Sequence, residues 1–307
     1  MTTPVIIDTD PGIDDAMAIL YAVADPAIEL VGLTTVFGNV PGATATRNAL
    51  ALLDLAGSGA PVAAGAAVPL VQAPQDHPDF VHGTDGLGGI PLPPPSRAVD
   101  PRPAHVFLAE EIAKRPGEIT LIPVGPLTNI ARALDHAPEI AKQVKQVIVM
   151  GGAVRTKGNV NDHAEANIWQ DPHAAAAVFA ADWPMMLVGL DVTEATICTA
   201  ADLAPMTGPS PESGAFLTRA AEFYFRFHKD SAGIDGCHMH DPSAVIAAVE
   251  PGLFGTVSAP LTVTLDGERA GMTREGGGGR AVDICIGVES ARVMDRFRAH
   301  LSSGRLP

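Results

Sequence analysis

The chain has 307 residues, a net charge of −15, and a composition of 47% hydrophobic and 18% charged residues. The negative charge argues against nucleic acids and anionic membranes as partners, because both repel an acidic surface. No apolar run reaches the roughly eighteen residues that a membrane span requires. The hydrophobic fraction excludes a disordered chain, and the length suits one large domain, which we predict over residues 1–307.

Strand-like and helix-like segments alternate along the first two-thirds of the chain. We predict strands at 4–7, 29–36, 119–124, 144–150 and 185–190, and helices at 14–24, 43–55, 127–136 and 171–181. Near the C-terminus, 260–265 and 281–287 are expected to pair antiparallel around the glycine-rich stretch 274–280, before a final helix at 289–300. This alternation predicts an α/β fold, with an open, mostly parallel, Rossmann-like sheet and helices on both faces.

The predicted sheet also indicates where a site would lie. Ligands of open parallel sheets bind outside the carboxyl ends of the strands, so we expect the active site at that edge. The proline- and glycine-rich stretch 72–103 reads as one long loop, and long loops in compact domains often cover active sites.

Cysteine usage and the first residues indicate the cellular compartment. Cys198, Cys237 and Cys285 are odd in number, far apart along the chain and without a CxxC pair, so neither a disulfide framework nor a thiolate zinc site is expected. Residues 1–7 lack the basic and apolar regions of a signal peptide. We therefore expect a cytoplasmic protein.

The opening stretch IDTDPGIDDA is unusually acidic. Asp8, Asp10, Asp14 and Asp15 fall within eight residues, whereas the first Lys or Arg is Arg47. A helix N-terminus favours a carboxylate by only about 0.3–1 kcal/mol, which does not hold several together out of water. A divalent cation does, and all-oxygen ligation suits Ca²⁺ or Mg²⁺. The alternative is that Asp14 caps the helix and the other acids are solvated.

The late stretch DGCHMHDPSAV carries histidines and an aspartate together. Asp241 and Pro242 fit a helix start, with Asp241 as N-cap and Pro242 at the first helical position. His238 and His240 are spaced like an HxH metal pair, which is weak evidence on a loop. A structural histidine at 240 and a simple cap at 241 are the alternative.

A third stretch, GNVNDHAEANIWQDP, mixes amides and carboxylates before a helix start at Asp171. Asn159, Asn161, Glu165 and Asn167 suit a hydroxyl-rich ligand such as a sugar, although asparagine and glycine also serve ordinary turns.

Taken together and in chain order, these stretches are similar to those of one family. IDTDPGIDDA, VFGN, PVGPLTNIA, MGGA, GNV, AEANI-x-x-DP and HMHDP closely resemble the inosine–uridine nucleoside hydrolases from Val5 to about Ala248. The resemblance implies Ca²⁺-dependent hydrolysis of the N-glycosidic bond of a ribonucleoside, which releases the base and ribose. It also implies a homodimer or homotetramer.

The resemblance assigns roles in the metal site and in catalysis. Asp10, Asp15 and Asp241 would supply carboxylate ligands to Ca²⁺, and the backbone carbonyl of Val124 would be a further ligand. Asp10 would also act as general base toward the metal-bound water, next to an oxocarbenium-like transition state that carboxylates stabilise. His240 matches the candidate acid that protonates a leaving purine.

The resemblance assigns substrate contacts as well. The positions that hold the ribose diol or lie near its 5′-hydroxyl match Asp14, Asn39, Asn167, Asn159 and Glu165. Residues near the base match His82, Tyr224 and His228, the last two sharing one helix face. Exposure of these three residues to solvent is the alternative.

Two positions depart from the family pattern. Ala166 stands where the family usually has Phe, and His228 stands where several members have Tyr. Both changes leave the predicted metal site intact. They do not allow the preferred base of other family members to be assigned to this chain.

Two other functions compete with this one. IIDTD also resembles the strand-and-DxD opening of haloacid dehalogenase-type phosphatases, although Pro11 and the GIDDA run depart from that pattern. A nucleoside- or ribose-binding protein without turnover is the non-enzymatic alternative, against which the intact set of Asp10, Asp15, His240 and Asp241 argues.

Overall fold

The strands of the chain assemble into one large sheet in the computed structural model, which describes residues 2–277 and 280–307. The strands are β1 Thr3–Thr9, β2 Ile28–Thr35, β3 Val62–Ala64, β4 Thr120–Pro123, β5 Gln146–Met150, β6 Met185–Val188, β7 Ile197–Cys198, β8 Cys237–His238, β9 Phe254–Val263, β10 Thr273–Glu275 and β11 Ala281–Val288. Nine of them form a sheet in the order β10-β9-β11-β6-β5-β4-β1-β2-β3, and β7 pairs with β8 separately. Only β9 runs in the direction opposite to the other strands of the nine-stranded sheet as described, so the predicted, mostly parallel sheet is confirmed.

The helices connect these strands. They are α1 Ile13–Ala24, α2 Gly42–Leu55, α3 Asp79–His82, α4 Ala104–Lys114, α5 Thr128–His136, α6 Ile140–Gln143, α7 Ala166–Gln170, α8 Pro172–Ala180, α9 Leu190–Thr193, α10 Ala200–Leu203, α11 Pro211–Ala232, α12 His240–Val249 and α13 Ser290–Leu301. Short 3₁₀ turns lie at Ala204–Thr207, Pro251–Leu253 and Gly267–Arg269. Within residues 2–277 and 280–307, each helix is too short or too polar to cross a bilayer.

Strand β1 divides the core into two layers. Successive side chains of a strand point to opposite faces, and Val5 and Ile7 therefore pack into one apolar cluster while Ile6 packs into the other. The first cluster includes residues of α1, α2, α11, α12 and α13, and the second includes residues of α4, α5 and α8. Helices therefore cover both faces, as predicted, and the polar ends of β1, β4 and β5 lie between the two layers.

The structure corrects several predicted boundaries. Helix α12 begins at His240, so Asp241 lies inside its first turn and is not the N-cap, and Pro242 is its third residue. The first four N–H groups of a helix have no intrahelical partner, which is why Pro242 is tolerated there. The predicted loop 72–103 contains the short helix α3.

The C-terminal pairing is confirmed with one addition. Strands β9 and β11 are antiparallel, and β10 adds to the outer edge of β9. Gly278 and Gly279 of the predicted glycine-rich connection lie outside the described residues. The three cysteines are free and buried, although Cys198 and Cys237, far apart along the chain, are directly opposite each other in the β7–β8 pair.

Candidate functional site

A cavity of about 630 Å³ opens at the carboxyl ends of β1, β4 and β5. Its volume is in the usual range for small-molecule sites. Its walls come from both layers: α11 and α12 belong to the first, and α7 contributes Ile168 to the second. Among the residues that the structure describes, no lysine or arginine lines this cavity.

Three aspartates meet at the floor of the cavity. Asp14, Asp15 and Asp241 each place a carboxylate oxygen within 4.8 Å of the others, and all three are buried. Asp14 and Asp15 stand in the first turn of α1, and Asp241 stands in the first turn of α12. Because α1 and α12 pack against each other, residues more than 200 positions apart form one cluster.

Local hydrogen bonds hold Asp15 in a single orientation. Its Oδ2 accepts the Gly12 N–H at 2.9 Å and the Asn39 side-chain amide at 3.1 Å. Its Oδ1 accepts the Asp10 N–H at 3.2 Å and the Thr9 hydroxyl. The carboxylate therefore joins the end of β1 to the first turn of α1.

Asp10 lies beside this cluster, in a narrow slot between two glycines. Its Oδ2 accepts the Asn39 N–H at 2.6 Å, whereas its buried Oδ1 has no hydrogen-bond partner. A Cβ at Gly125 would lie 2.5 Å from Oδ1, and a Cβ at Gly38 would clash with Oδ2. We call this arrangement the glycine slot of Asp10.

The acids destabilise one another's charged forms. Burial, followed by repulsion from neighbouring aspartates, raises the pKa of Asp10 and of Asp241 well above the usual range. Burial also raises the pKa of Asp14 to about 6. Asp14 Oδ1, like Asp10 Oδ1, is buried without a partner. Unpartnered carboxylate oxygens without a nearby cationic side chain fit a metal ion with oxygen ligands.

Asn167 and Val124 meet at the ends of β4 and β5. The Asn167 side-chain amide donates to the Val124 carbonyl at 3.0 Å and to the Met150 carbonyl at 3.3 Å. Asn167 and Val124 both line the cavity. The carbonyl predicted as a metal ligand is therefore at the site and is held by a residue predicted to bind the sugar.

Glu165 and Asn159 organise the start of α7. Glu165 Oε2 accepts the Gly152 N–H at 2.8 Å, and Oε1 accepts the Asn167 N–H at 2.9 Å. Asn159 Oδ1 accepts the Ala166 N–H at 3.0 Å. Both residues line the cavity, but much of their hydrogen-bonding capacity is used to shape its wall. Asn161 caps the turn at 163–164 and is absent from the lining.

The opposite wall is made of imidazoles and aromatic rings. The Tyr224 ring lies 5.1 Å from that of His82 and 4.4 Å from that of His228, measured between centroids. The Tyr224 hydroxyl donates to Asp14 at 3.2 Å. All three residues are buried and line the cavity, so they are not the solvent-exposed side chains of the alternative interpretation.

His82 and His240 are held as neutral rings. His82 Nδ1 accepts the Ile13 N–H at 3.2 Å, which places its proton on Nε2, and burial lowers its pKa to about 4. His240 Nδ1 hydrogen-bonds the Thr193 hydroxyl at 2.8 Å. Burial, followed by repulsion from nearby histidines, lowers the pKa of His240 well below the usual range.

Sequence reasoning left some cavity residues without a role. His238 lies between His228 and His240, at ring distances of 4.9 and 5.5 Å, and Phe227 and Trp169 also line the cavity. The HxH spacing was the available signal for His238. No local pattern distinguishes Phe227 or Trp169 from core residues, because their placement depends on how α11 and α7 pack.

Comparison with known proteins identifies the family to which the chain belongs. The profile of the family described as "Inosine-uridine preferring nucleoside hydrolase" matches residues 5–295. The chain belongs to this family. It is 42% identical over 269 residues to "Uridine nucleosidase 1" of Arabidopsis thaliana. The aligned residues cover 87% of this chain and 80% of the relative.

Solved structures of nucleoside hydrolases share the whole fold. A plant nucleoside hydrolase, PpNRh1, superposes with a TM-score of 0.95 at 37% identity, over 99% of this chain and 100% of that one. A purine-preferring ribonucleoside hydrolase of Gardnerella vaginalis gives a TM-score of 0.95 at 33% identity, over 99% of both chains. The protein is therefore a nucleoside hydrolase, an enzyme that cleaves N-glycosidic bonds, and its acid cluster is able to hold a metal ion.

Proposed function

We propose that this nucleoside hydrolase uses Ca²⁺ to hydrolyse ribonucleosides to free base and ribose. The observation that carries the proposal is the floor of buried aspartates with unpartnered oxygens, open to a cavity without cationic side chains. A divalent cation would compensate these charges, and the oxygens of a ribose diol are of the kind that such an ion prefers as further ligands.

The ion would be held by Asp10, Asp15, Asp241 and the Val124 carbonyl, all oxygen donors of the kind that Ca²⁺ prefers. When bound, Ca²⁺ supplies Lewis acidity that lowers the pKa of a coordinated water, and it also fixes the diol. Asp14, Asn39 and Asn167 would hydrogen-bond the same diol. Asp14 belongs to the cluster of three carboxylates with Asp15 and Asp241, which supports placing the ribose diol next to that cluster.

Asp10 would act as the general base. Its Oδ1 is buried without a hydrogen-bond partner, and the raised pKa makes this carboxylate a better proton acceptor than an exposed aspartate. The proton passes from the attacking water to Asp10 while the C1′–N bond breaks. The surrounding carboxylates stabilise the positive charge that develops on the ribose ring.

His240 would assist the departing base. Thr193 engages Nδ1, which leaves the Nε2 atom for the cavity; when the Thr193 hydroxyl is the donor, Nε2 carries the proton and is able to donate to a ring nitrogen of the base. His82, Tyr224 and His228 would surround the base. One similar protein is named for uridine and another is described as purine-preferring, so the preferred base has to be measured.

The test is ribose release from inosine, adenosine, guanosine, uridine and cytidine, with added Ca²⁺ and after exhaustive chelation. We expect release that requires the metal and falls by about three orders of magnitude in Asp10→Asn. Exposed Asp295→Asn on α13 is the matched control and retains wild-type rates.

Other outcomes of the same test contradict the proposal. A nucleoside that binds without base release over hours would identify a binding protein. Mg²⁺-dependent cleavage of phosphomonoesters, without ribose release from nucleosides, would identify a phosphatase of the haloacid dehalogenase type. Faster cleavage of a nucleoside 5′-monophosphate than of its nucleoside would contradict the placement of Glu165 near the 5′ end.

We also propose that the enzyme is cytoplasmic and forms a homodimer or homotetramer. Its buried free thiols are compatible with a reducing compartment. Light scattering coupled to gel filtration tests the assembly, and a monomeric mass at micromolar concentration would exclude it.

A further inference from the structure

The cavity continues beyond the space that a ribose would fill. On the side of α7 its lining includes Gly158, Val160, Ala166 and Trp169 in addition to Glu165. We call these four residues the α7 pocket. Val160 is 42% exposed, and Ala166 and Trp169 are partly exposed, so apolar surface faces the open cavity.

The geometry of ribose decides which group would enter the α7 pocket. C2′ and C3′ carry the diol, C1′ follows C2′, and C4′ with its 5′ arm follows C3′. If the diol lies on the acid cluster, the base and the 5′ arm must diverge to opposite sides. His82, Tyr224 and His240 stand on the side of the first core layer, whereas α7 belongs to the second. The 5′ arm therefore points to the α7 pocket.

The charge of the pocket excludes an anionic 5′ group. Neither lysine nor arginine is found among the described residues that line the cavity, and buried Glu165 lines it next to Ala166, with its carboxylate held by backbone N–H groups. A phosphate would find no cationic partner there and would be repelled. A neutral, apolar substituent instead buries surface against Val160, Ala166 and Trp169.

The walls of the pocket are held in place by the surrounding chain. The Ala166 N–H donates to Asn159, and the Gln72 side chain donates to the Trp169 carbonyl at 3.0 Å. A Cβ at Gly271 would lie 2.6 Å from Trp169 Cα, so the turn that precedes β10 packs closely against this residue. Several segments of the chain therefore hold the walls of the α7 pocket, and its shape does not depend on a single side chain.

We propose that the α7 pocket is a subsite for a small apolar 5′ substituent, so that the enzyme also hydrolyses 5′-alkylthio nucleosides. This inference rests on the proposed function. Water adds to C1′, the C1′–N bond breaks, the base leaves with a proton, and 5′-alkylthioribose is the second product. The carbon–sulfur bond is unchanged, and no co-reactant is needed.

The test compares the best-cleaved nucleoside with its 5′-methylthio derivative. In the wild type we expect the derivative to retain kcat/KM within about tenfold of the parent. Ala166→Phe fills the pocket, and we expect the ratio of derivative to parent to fall by at least about tenfold, since apolar sites discriminate by this much per small group. Ala177→Phe, on the exposed face of α8, is the matched control and leaves the ratio unchanged.

The outcomes separate the two proposals. Cleavage of the parent with a loss of more than about a hundredfold for the derivative in the wild type would overturn the subsite alone. An unchanged ratio in Ala166→Phe, with the variant folded by circular dichroism, would also overturn it. Absence of cleavage of every parent nucleoside would overturn the proposed function and the subsite with it.

Discussion

Helix α1 has buried aspartates at both ends, and the two ends differ in what neutralises them. At the C-terminal end, Asp25 accepts hydrogen bonds from the Tyr21 hydroxyl at 2.6 Å and from Arg296 at 2.7 Å. Burial alone would raise the pKa of Asp25, but these contacts and the Ala27 N–H outweigh it and lower the pKa. At the N-terminal end, Asp14 and Asp15 have no cationic side chain among their hydrogen-bonding partners, and their pKa values are raised.

The difference separates acids that serve stability from acids that serve function. The charge of Asp25 is compensated within the protein, because Arg296 of α13, 271 residues later in the chain, donates to its carboxylate. Among the described residues, the N-terminal acids have no arginine or lysine partner, and the proposed metal ion would supply the missing positive charge. Strongly perturbed carboxylates in a cavity are typical of functional sites, whereas a satisfied ion pair is typical of structure.

The largest expected effect is on catalysis, from changes at the N-terminal end. Asp241→Asn removes one carboxylate of the cluster and should lower kcat/KM by about three orders of magnitude. The metal-free variant should be as stable as the wild type or more so, because one repelling charge is removed. Steady-state kinetics and thermal unfolding measure the two effects. An Asp241→Asn variant with lower stability and normal activity would show that this acid serves stability, like Asp25, and would contradict the comparison.

The opposite pattern is expected from the C-terminal end. Arg296→Met leaves Asp25 buried without its cation and should lower the free energy of unfolding by about 3 kcal/mol. Activity per folded molecule should be unchanged, since Arg296 is remote from the cavity lining. Arg292→Met removes a more exposed ion pair of the same helix, and chemical denaturation should show a loss below about 1 kcal/mol. Equal losses of unfolding free energy in Arg296→Met and Arg292→Met would contradict the structural role that we assign to the buried Asp25–Arg296 pair.

A third prediction concerns metal and pH together. Burial raises the pKa of Asp8 to about 7 and that of Asp14 to about 6, whereas both ionise near pH 4 when unfolded. The metal-free protein should therefore lose stability as the pH rises from about 4 to 7. Added Ca²⁺ should raise the melting temperature more at pH 7.5 than at pH 5. A Ca²⁺ effect that is independent of pH would indicate that the ion binds away from these acids.

The smallest expected effect comes from one hydroxyl. The hydrogen bond from Tyr224 lowers the pKa of Asp14, so Tyr224→Phe should move the acidic limb of the pH–rate profile to higher pH. We expect a loss of about tenfold in kcat/KM, the usual size for a hydrogen bond to a charged group. Phe225→Leu, on the same helix and outside the cavity lining, should leave the profile in place.

Local patterns were enough to predict much of this architecture and of the acid cluster. Strands β1 and β5 are built on the short apolar runs VII and VIVM, and the acids of IDTDPGIDDA stand together because they are neighbours in sequence. The N-cap assigned to Asp241 was wrong, because proline is tolerated at several positions of a first helical turn and does not locate the start uniquely.

Contacts between distant segments could not be predicted in the same way. The partner of Asp25 lies on another helix, and the positions of Trp169 and His238 depend on how α7 packs and how β8 pairs with β7. Periodicity identifies a buried face but not the element that covers it. The α7 pocket likewise depends on the fold, which brings Gly158, Val160 and Trp169 into the lining of one cavity.

The glycine slot of Asp10 has a consequence for ligand affinity. An aspartate free in solution samples several rotamers, and freezing them on binding opposes association with lost conformational entropy. Between Gly38 and Gly125 the carboxylate is already confined before any ligand arrives. Binding of the proposed Ca²⁺ would therefore meet little of that entropic penalty, and replacing either glycine with alanine should reduce affinity while every proposed ligand atom is kept.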